Sequence, residues 1–369
     1  MSNENLQIAK RIKNDEFYTQ YVDIEKEIDA YIEHNPNVFR NKIILLPCDD
    51  PEKSNFTKYF VQNFNKLRLK KLISTSYSCE NNDNENWQLS LFEGDNIKPK
   101  GKILIYSAST QNKKDWKFLK NDGDFRSKEI SKLRDEADII ITNPPFSLFR
   151  QFLSWIIEKN KKFIIIGNIN TIKCKEVFPL IKANQIWIGA TANGKSMKFV
   201  TPNEETKFIN IGNTCWFTNV EHEKRHKPLE LKTMEENILN CRRKIIRKQG
   251  YPKYDNYEAI EVAFTEAIPS DYMGVMGVPL SFLNKYCPEQ FDIVGITSGR
   301  QAFECKPSKR YINPKQHNID GTIINGSKVN TSCTLKLKEI PNSIYYTAEN
   351  SDGPLSALYQ RILIRNKKY

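Results

Sequence analysis

A doubly wound α/β fold is predicted for this chain from three observations. The β-branched run Ile139-Ile140-Ile141 precedes a segment whose Phe149, Phe152, Leu153, Ile156 and Ile157 share one helical face. A second apolar run, KFIIIG at 162–167, follows as a parallel partner reached through that helix, and right-handed β-α-β connection is the strong default. Upstream, short apolar runs and helix-period segments alternate in the same way. Uninterrupted apolar strands of this kind are buried on both faces.

In chain order, 15–31 (DEFYTQYVDIEKEIDAY) reads as a polar lead into a helix with Val22, Ile24, Ile28 and Tyr31 as its apolar positions. KIILL at 42–46 is a strand closed by Pro47-Cys48-Asp49-Asp50-Pro51. A helix is expected from Ser54, with Phe56, Phe60, Phe64 and Leu67 at helical spacing, and a strand over 71–75. The Asn-, Asp- and Glu-rich stretch 79–101 reads as an exposed connection, 102–106 as a strand of an inserted hairpin, and 127–136 as a helix leading into the central strand. That strand ends in Asn143-Pro144-Pro145-Phe146, and Ser147 stands where an N-cap belongs. Two prolines with fixed φ and no amide donor leave rigid carbonyls and one Asn side chain at the carboxyl end of a strand, the edge where ligands sit in open α/β sheets.

From about Pro228 the character changes, so 1–228 is expected to form one domain and 229–369 a mixed α+β extension. Residues 234–248 read as one helix carrying Arg242, Arg243, Lys244 and Arg247. The loop TANGKSMKFV at 191–200 carries Lys195 and Lys198. Both stretches are candidate phosphate contacts, because Lys and Arg outnumber Asp and Glu by 56 to 44, for a net charge of +12. The polar stretch 298–330 reads as a recognition loop or a mobile excursion.

With 39% hydrophobic and 27% charged residues the composition is that of a soluble globular chain, and no apolar run approaches a membrane span. MSNENLQIAKRIKNDEF has no apolar core, so no secretory signal is expected. The eight cysteines are dispersed and never form C-x-x-C, which fits reduced thiols in the cytoplasm. The string His222-Glu223-Lys224-Arg225-His226 satisfies the zinc-protease pattern H-E-x-x-H, but charged neighbours and Pro228 argue for a solvated or DNA-facing loop, and no metal is expected.

An Asn-Pro-Pro-Phe turn after such a strand resembles the catalytic motif of amino-methyltransferases that use S-adenosylmethionine. An amine conjugated to a purine is a poor nucleophile. The Asn143 side-chain oxygen and the Pro144 carbonyl would accept both of its hydrogens, while Phe146 stacks on the extruded base. The order DEFYTQ, LPCDDPEKSNF, GDF, TNPPFSLFRQF resembles the EcoRI-type adenine-specific DNA methyltransferases, and GNIN, MGVPLSFLNKY and RILIRNK extend the likeness to the C-terminus. The resemblance implies a Rossmann-like methyltransferase sheet, S-adenosylmethionine as cofactor and double-stranded DNA as partner. It implies catalytic residues Asn143, Pro144, Pro145 and Phe146, and cofactor contacts at Phe17, Tyr18, Thr19, Pro47, Asp50, Asp124 and Phe125. Most methyltransferases have a Gly-rich loop where this chain has Pro47 to Pro51 without glycine. A cognate restriction endonuclease, not required for activity, is a candidate partner, and a cytoplasmic monomer is expected. The alternatives are a methyltransferase of protein glutamine amides and an inactive nucleic-acid-binding module.

Overall fold

The computed structural model describes residues 18–78, 100–109, 116–191, 197–201, 204–297 and 305–367. The chain divides into two compact units, Met1–Thr171 with Ile186–Glu223, and Ile172–Gln185 with Lys224–Tyr369.

The first unit runs β1 (Tyr18–Thr19), α1 (Tyr21–His34), β2 (Ile43–Leu46), α2 (Asn55–Gln62), β3 (Lys71–Thr75), β4 (Lys102–Ser107), β5 (Lys117–Phe118), α3 (Lys128–Glu136), β6 (Ile139–Thr142), α4 (Phe149–Ile157) and β7 (Lys162–Asn168). After α5 (Phe178–Lys182), which belongs to the second unit, come β8 (Trp187–Ile188), β9 (Met197–Thr201), β10 (Glu204–Ile211) and β11 (Thr214–Thr218). An eight-stranded sheet takes the order β5-β4-β3-β2-β6-β7-β11-β8. Its centre, β3-β2-β6-β7, is parallel, and β4, β5, β11 and β8 extend it antiparallel on both sides. All four residues of β2 and all four of β6 are buried, as their apolar runs require. From β2 the chain winds outward to β3, and later from β6 outward to β7 on the other side. The direction reverses between β2 and β6, so the loops at their carboxyl ends diverge and leave a crevice there.

One apolar core covers this sheet. Ile24, Ile28 and Tyr31 of α1 and Phe56, Tyr59 and Phe60 of α2 pack with Ile44, Leu72, Ile139, Ile164 and Trp216. Each fully buried Phe contributes about 1.5–3 kcal/mol relative to exposure. Ser54 and Ser127 cap α2 and α3 by accepting the N–H groups of Phe56 and Ile130. A separate three-stranded sheet has the order β1-β9-β10.

Local expectations needed correction at several places in this unit. The helix expected from Ser54 ends at Gln62, so Phe64 and Leu67 are buried from the turns that follow it, and the loop expected over 191–200 contains the start of β9. Val22 lies exposed on α1, and the fourth buried position of that helix is Glu27. Ser147 does not cap a helix. The Leu148 N–H closes a 3-10 turn on the Pro145 carbonyl at 2.9 Å, and α4 starts only at Phe149. The H-E-x-x-H string is only partly solvated: Glu223 and His226 are exposed, whereas His222 and Arg225 are buried. His222 Nε2 meets the Ile188 carbonyl at 3.1 Å and its ring stands edge-on to Tyr31.

The second unit contains α6 (Met234–Asn240), α7 (Lys244–Gln249), β12 (Ile260–Glu261), β13 (Met276–Pro279), β14 (Phe291–Ile296), β15 (Lys315–His317), β16 (Ile323–Asn325), β17 (Thr334–Lys336), β18 (Tyr345–Thr347), β19 (Leu355–Ala357) and β20 (Arg361–Asn366). These form a four-stranded sheet, β12-β13-β20-β14, and a five-stranded sheet, β16-β15-β18-β19-β17. The single helix expected over 234–248 is two. A Thr233–Glu236 capping box starts α6, but Cys241 and Arg243 are extended, because the Arg243 guanidinium is drawn onto Glu266 (2.8 Å) and over the Phe264 ring (4.6 Å). The described part of the polar stretch 298–330 is ordered as the β15–β16 hairpin, turning at Gly321 with φ +82°. Few apolar residues suffice there because Tyr311, Val329, Tyr346 and Leu355 supply one covered face. Among the described residues no helix is long and apolar enough to cross a membrane.

Candidate active site

Three loops leave the carboxyl ends of β2, β3 and β6, and Asp49 joins them. Its backbone N–H donates to the Thr75 carbonyl (2.9 Å), and its own carbonyl accepts from Ser74 Oγ (2.6 Å). Its carboxylate accepts from Ser54 Oγ at Oδ1 and from Thr142 Oγ1 at Oδ2, both at 2.6 Å. Thr142 is the residue before Asn143. Burial pushes the Asp49 carboxyl up to about 7 against the opposing pull of the two hydroxyl bonds. Its neighbour Asp50 closes the loop by accepting the N–H groups of Glu52 and Lys53 at Oδ1, which presents the start of α2.

Asn143, Pro145 and Phe146 are half-buried and Pro144 is buried. The Phe146 ring packs edge-on against Phe199 of β9, centroids 6.3 Å apart. Phe199 pairs in register with Thr19, whose carbonyl accepts from the Asn55 side chain at 2.8 Å, at the first residue of α2. Segments far apart in sequence, around Thr19, Asp49, Asn143 and Phe199, thus form one contiguous assembly.

The Asp122-Gly123-Asp124 turn docks at the end of β3, where the Ser78 N–H donates to the Asp122 carbonyl (2.8 Å). Gly123 has φ +87°, and a Cβ there would lie 2.1 Å from the Ser76 carbonyl oxygen, so only glycine permits the approach. Asp124 chelates Arg126 through both carboxylate oxygens, which holds its carboxyl below the usual range. Phe125 is buried edge-on between Phe152 and Trp155. Pro47 is buried in the loop after β2. Phe17 and Lys195 lie outside the described residues, and Lys198 is placed on β9 by its backbone. Arg242, Lys244 and Arg247 are exposed around the start of α7, whereas Arg243 is engaged by Glu266 and Phe264. Among the described residues no group of three or more His, Cys, Asp or Glu side chains is arranged to hold a metal.

Sequence reasoning missed Asp49, Thr142 and Asn55, whose roles depend on partners up to 93 residues away. The one local signal was an acidic residue just after an apolar strand and five positions before a Ser N-cap.

A sheet whose ordering reverses beside a strand-ending Asn-Pro-Pro-Phe turn is the arrangement expected of an amino-group methyltransferase. The particular family follows from comparison: the model of the family "Adenine-specific methyltransferase EcoRI" matches residues 5–367, and the chain belongs to that family. It is 41% identical to Type II methyltransferase M.EcoRI of Escherichia coli over 314 residues, covering 81% of this chain and 90% of that protein. It is 34% identical to Type II methyltransferase M.MpnI of Mycoplasma pneumoniae over 301 residues, covering 78% and 83%. No solved structure matches. The protein is therefore an adenine-specific DNA methyltransferase, and membership implies S-adenosylmethionine as methyl donor. The glutamine-amide alternative is set aside.

The residues present suit that donor. The Thr19 hydroxyl is buried with no hydrogen-bond partner among the described residues, beside the start of α2. Orphaned buried hydroxyls are uncommon, and a bound polar group would satisfy this one.

Proposed function

We propose that the enzyme transfers a methyl group to the exocyclic N6 of an adenine extruded from a specific duplex sequence, on a Rossmann-like sheet. Residues 1–228 carry cofactor and catalysis and 229–369 carry target recognition. The observation that carries this reading is the Asn143-Pro144-Pro145-Phe146 turn at the carboxyl end of β6, tied through Thr142 and Asp49 to the loop after β2. Asn143 Oδ1 and the Pro144 carbonyl accept the two amine hydrogens and favour a pyramidal nitrogen with an available lone pair. Phe146, supported from behind by Phe199, stacks on the base and fixes its plane. Bound S-adenosylmethionine supplies an electrophilic methyl group. Tyr18, Thr19, Pro47, Asp50 and Asp124 would hold it at the crevice, with Phe125 acting from the core beneath. Labelled S-adenosylmethionine and sheared genomic DNA, followed by sequencing of methylated adenines, test the reading. One methylated motif is expected, and DNA without methylated adenine rejects it.

Asp124 keeps acceptor capacity beyond its Arg126 bonds, since each carboxylate oxygen has two lone pairs. Asp124→Ala should weaken cofactor binding by roughly 0.5–1.5 kcal/mol and spare DNA binding. Calorimetry showing parental affinity would make GDF a turn only.

Phosphate contact is assigned to Arg242, Lys244 and Arg247, with Arg243 holding the segment and Lys195 and Lys198 as a second group. Replacing Arg242, Lys244 and Arg247 by Ala should weaken binding to all duplexes alike. It should also flatten the dependence of log affinity on log salt by roughly 0.9 for each phosphate no longer neutralised. A parental slope would remove this segment from the interface. A cognate restriction endonuclease is the proposed companion of a monomeric cytoplasmic enzyme and is not needed for catalysis.

A further inference from the structure

We propose that Asp49 is a positioning residue for methyl transfer, its carboxylate locking the loop after β2 to the strand that presents Asn143. The proposal rests on the reading that Asn143 receives the target amine.

Four hydrogen bonds at one residue join four elements. The Asp49 backbone is bonded in both directions to the end of β3, and its carboxylate bridges the start of α2 through Ser54 and the end of β6 through Thr142. Asp49 is 4% exposed. The two hydroxyl bonds favour its ionised form, against its burial. Ser54 Oγ already accepts from the Phe56 N–H, so its own proton goes to Asp49 Oδ1, while the Thr142 proton goes to Oδ2. Both carboxylate oxygens are acceptors, and the ionised form takes a proton from each hydroxyl. A protonated Asp49 would turn one oxygen into a donor, and the hydroxyl facing it would have to turn and accept, so one of the two charge-assisted bonds is replaced by a weaker neutral one.

Among the described residues no cation pairs with this charge. The carboxylate meets the hydroxyls of Ser54 at the start of α2 and Thr142 at the end of β6, the Ser74 hydroxyl of β3 bonds the Asp49 backbone carbonyl, and the charge acting on the carboxylate is that of Asp50, which disfavours ionisation. Burial therefore brings its titration to about 7, into the working range of a cytoplasmic enzyme. The sign for stability follows. A carboxyl raised from 3.8 to about 7 on folding contributes stability below about 4 that is lost as pH climbs to about 7. At neutral pH the fold thus bears a cost at Asp49 that an amide would relieve.

The test is single-turnover methylation of sheared genomic DNA at saturating cofactor, measured from pH 5.5 to 9 in the parent, Asp49→Asn and Thr142→Val, a span of about 1.5 units or more to either side of the titration. In the parent the rate should rise with pH through an apparent pKa near 7. Asp49→Asn should lose ~10–10²-fold in rate, the cost of a small misplacement of reacting groups, and lose the pH limb with it. Its cofactor and DNA affinities should stay within a few-fold, and its melting temperature at pH 8 should equal or exceed the parent's. Thr142→Val removes one bond that favours ionisation, so its limb should move to higher pH. A parental rate in Asp49→Asn, or a limb that survives unchanged in both variants, overturns the proposal. If Asn143→Ala is inactive in the same assay, the target-amine reading survives that result; if Asn143→Ala is active, it is that reading which fails.

Discussion

Asn143→Ala should lower methyl transfer by ~10²–10³-fold with cofactor affinity held within a few-fold. The expectation follows from where the side chain stands. It projects from the last turn of a strand buried over its whole length, between a Thr bonded to Asp49 and a buried proline. Such a support cannot shift to compensate when one acceptor is removed, so the loss falls on the transition state. The predicted cofactor contacts described by the structure lie on β1, on the loop after β2 and in the Asp124 turn, and the substitution leaves these intact. Rapid-quench methylation and calorimetry separate the two effects. Turnover near the parental level would remove Asn143 from the mechanism.

Glu27→Ala should destabilise the first unit by about 3 kcal/mol or more. Burial raises the Glu27 carboxyl, and it accepts from the N–H groups of Ala190 and Thr191 and from Tyr31 Oη, each at 2.8 Å, and from Thr191 Oγ1. Gly189 lets the loop approach, since a Cβ there would lie 2.2 Å from Glu27 Oε1. Removing the carboxylate takes the acceptor from the buried Tyr31 hydroxyl and from the half-buried Ala190 and Thr191 donors, at ~1–3 kcal/mol for a donor left unsatisfied. Glu27→Gln keeps one acceptor and should cost less. Denaturant titration reads both, and an unchanged midpoint for Glu27→Ala would mean the loop finds other acceptors. Because the folded-state carboxyl is raised, its contribution to stability is greatest below its unfolded value of about 4.5 and declines as pH rises through the folded one. The Gln variant should lose that dependence.

The sequence by itself determined the parallel centre of the sheet and the Asn-Pro-Pro-Phe turn to which the chemistry is assigned. Runs such as Ile43–Leu46 and Ile139–Thr142 admit only strands covered on both faces, and two prolines after Asn143 leave few backbone options. It also carried the family, because the order of several short motifs is informative where each alone is weak. Only the tertiary structure decided which acids do structural work. Glu27 falls on the same helical face as Ile24, Ile28 and Tyr31, and only the fold makes it a buried clamp on the Ala190–Thr191 backbone; Asp49 and Asp50 look alike until the fold turns one inward and the other to the helix start. It likewise broke the helix expected over 234–248, where contacts from Arg243 to Glu266 and Phe264 outweigh local propensity. The physical reason is common to these cases. Periodicity and backbone chemistry act between near neighbours and are legible along the chain. Hydrogen bonds between residues 36, 93 or 164 positions apart exist only after the sheet has assembled.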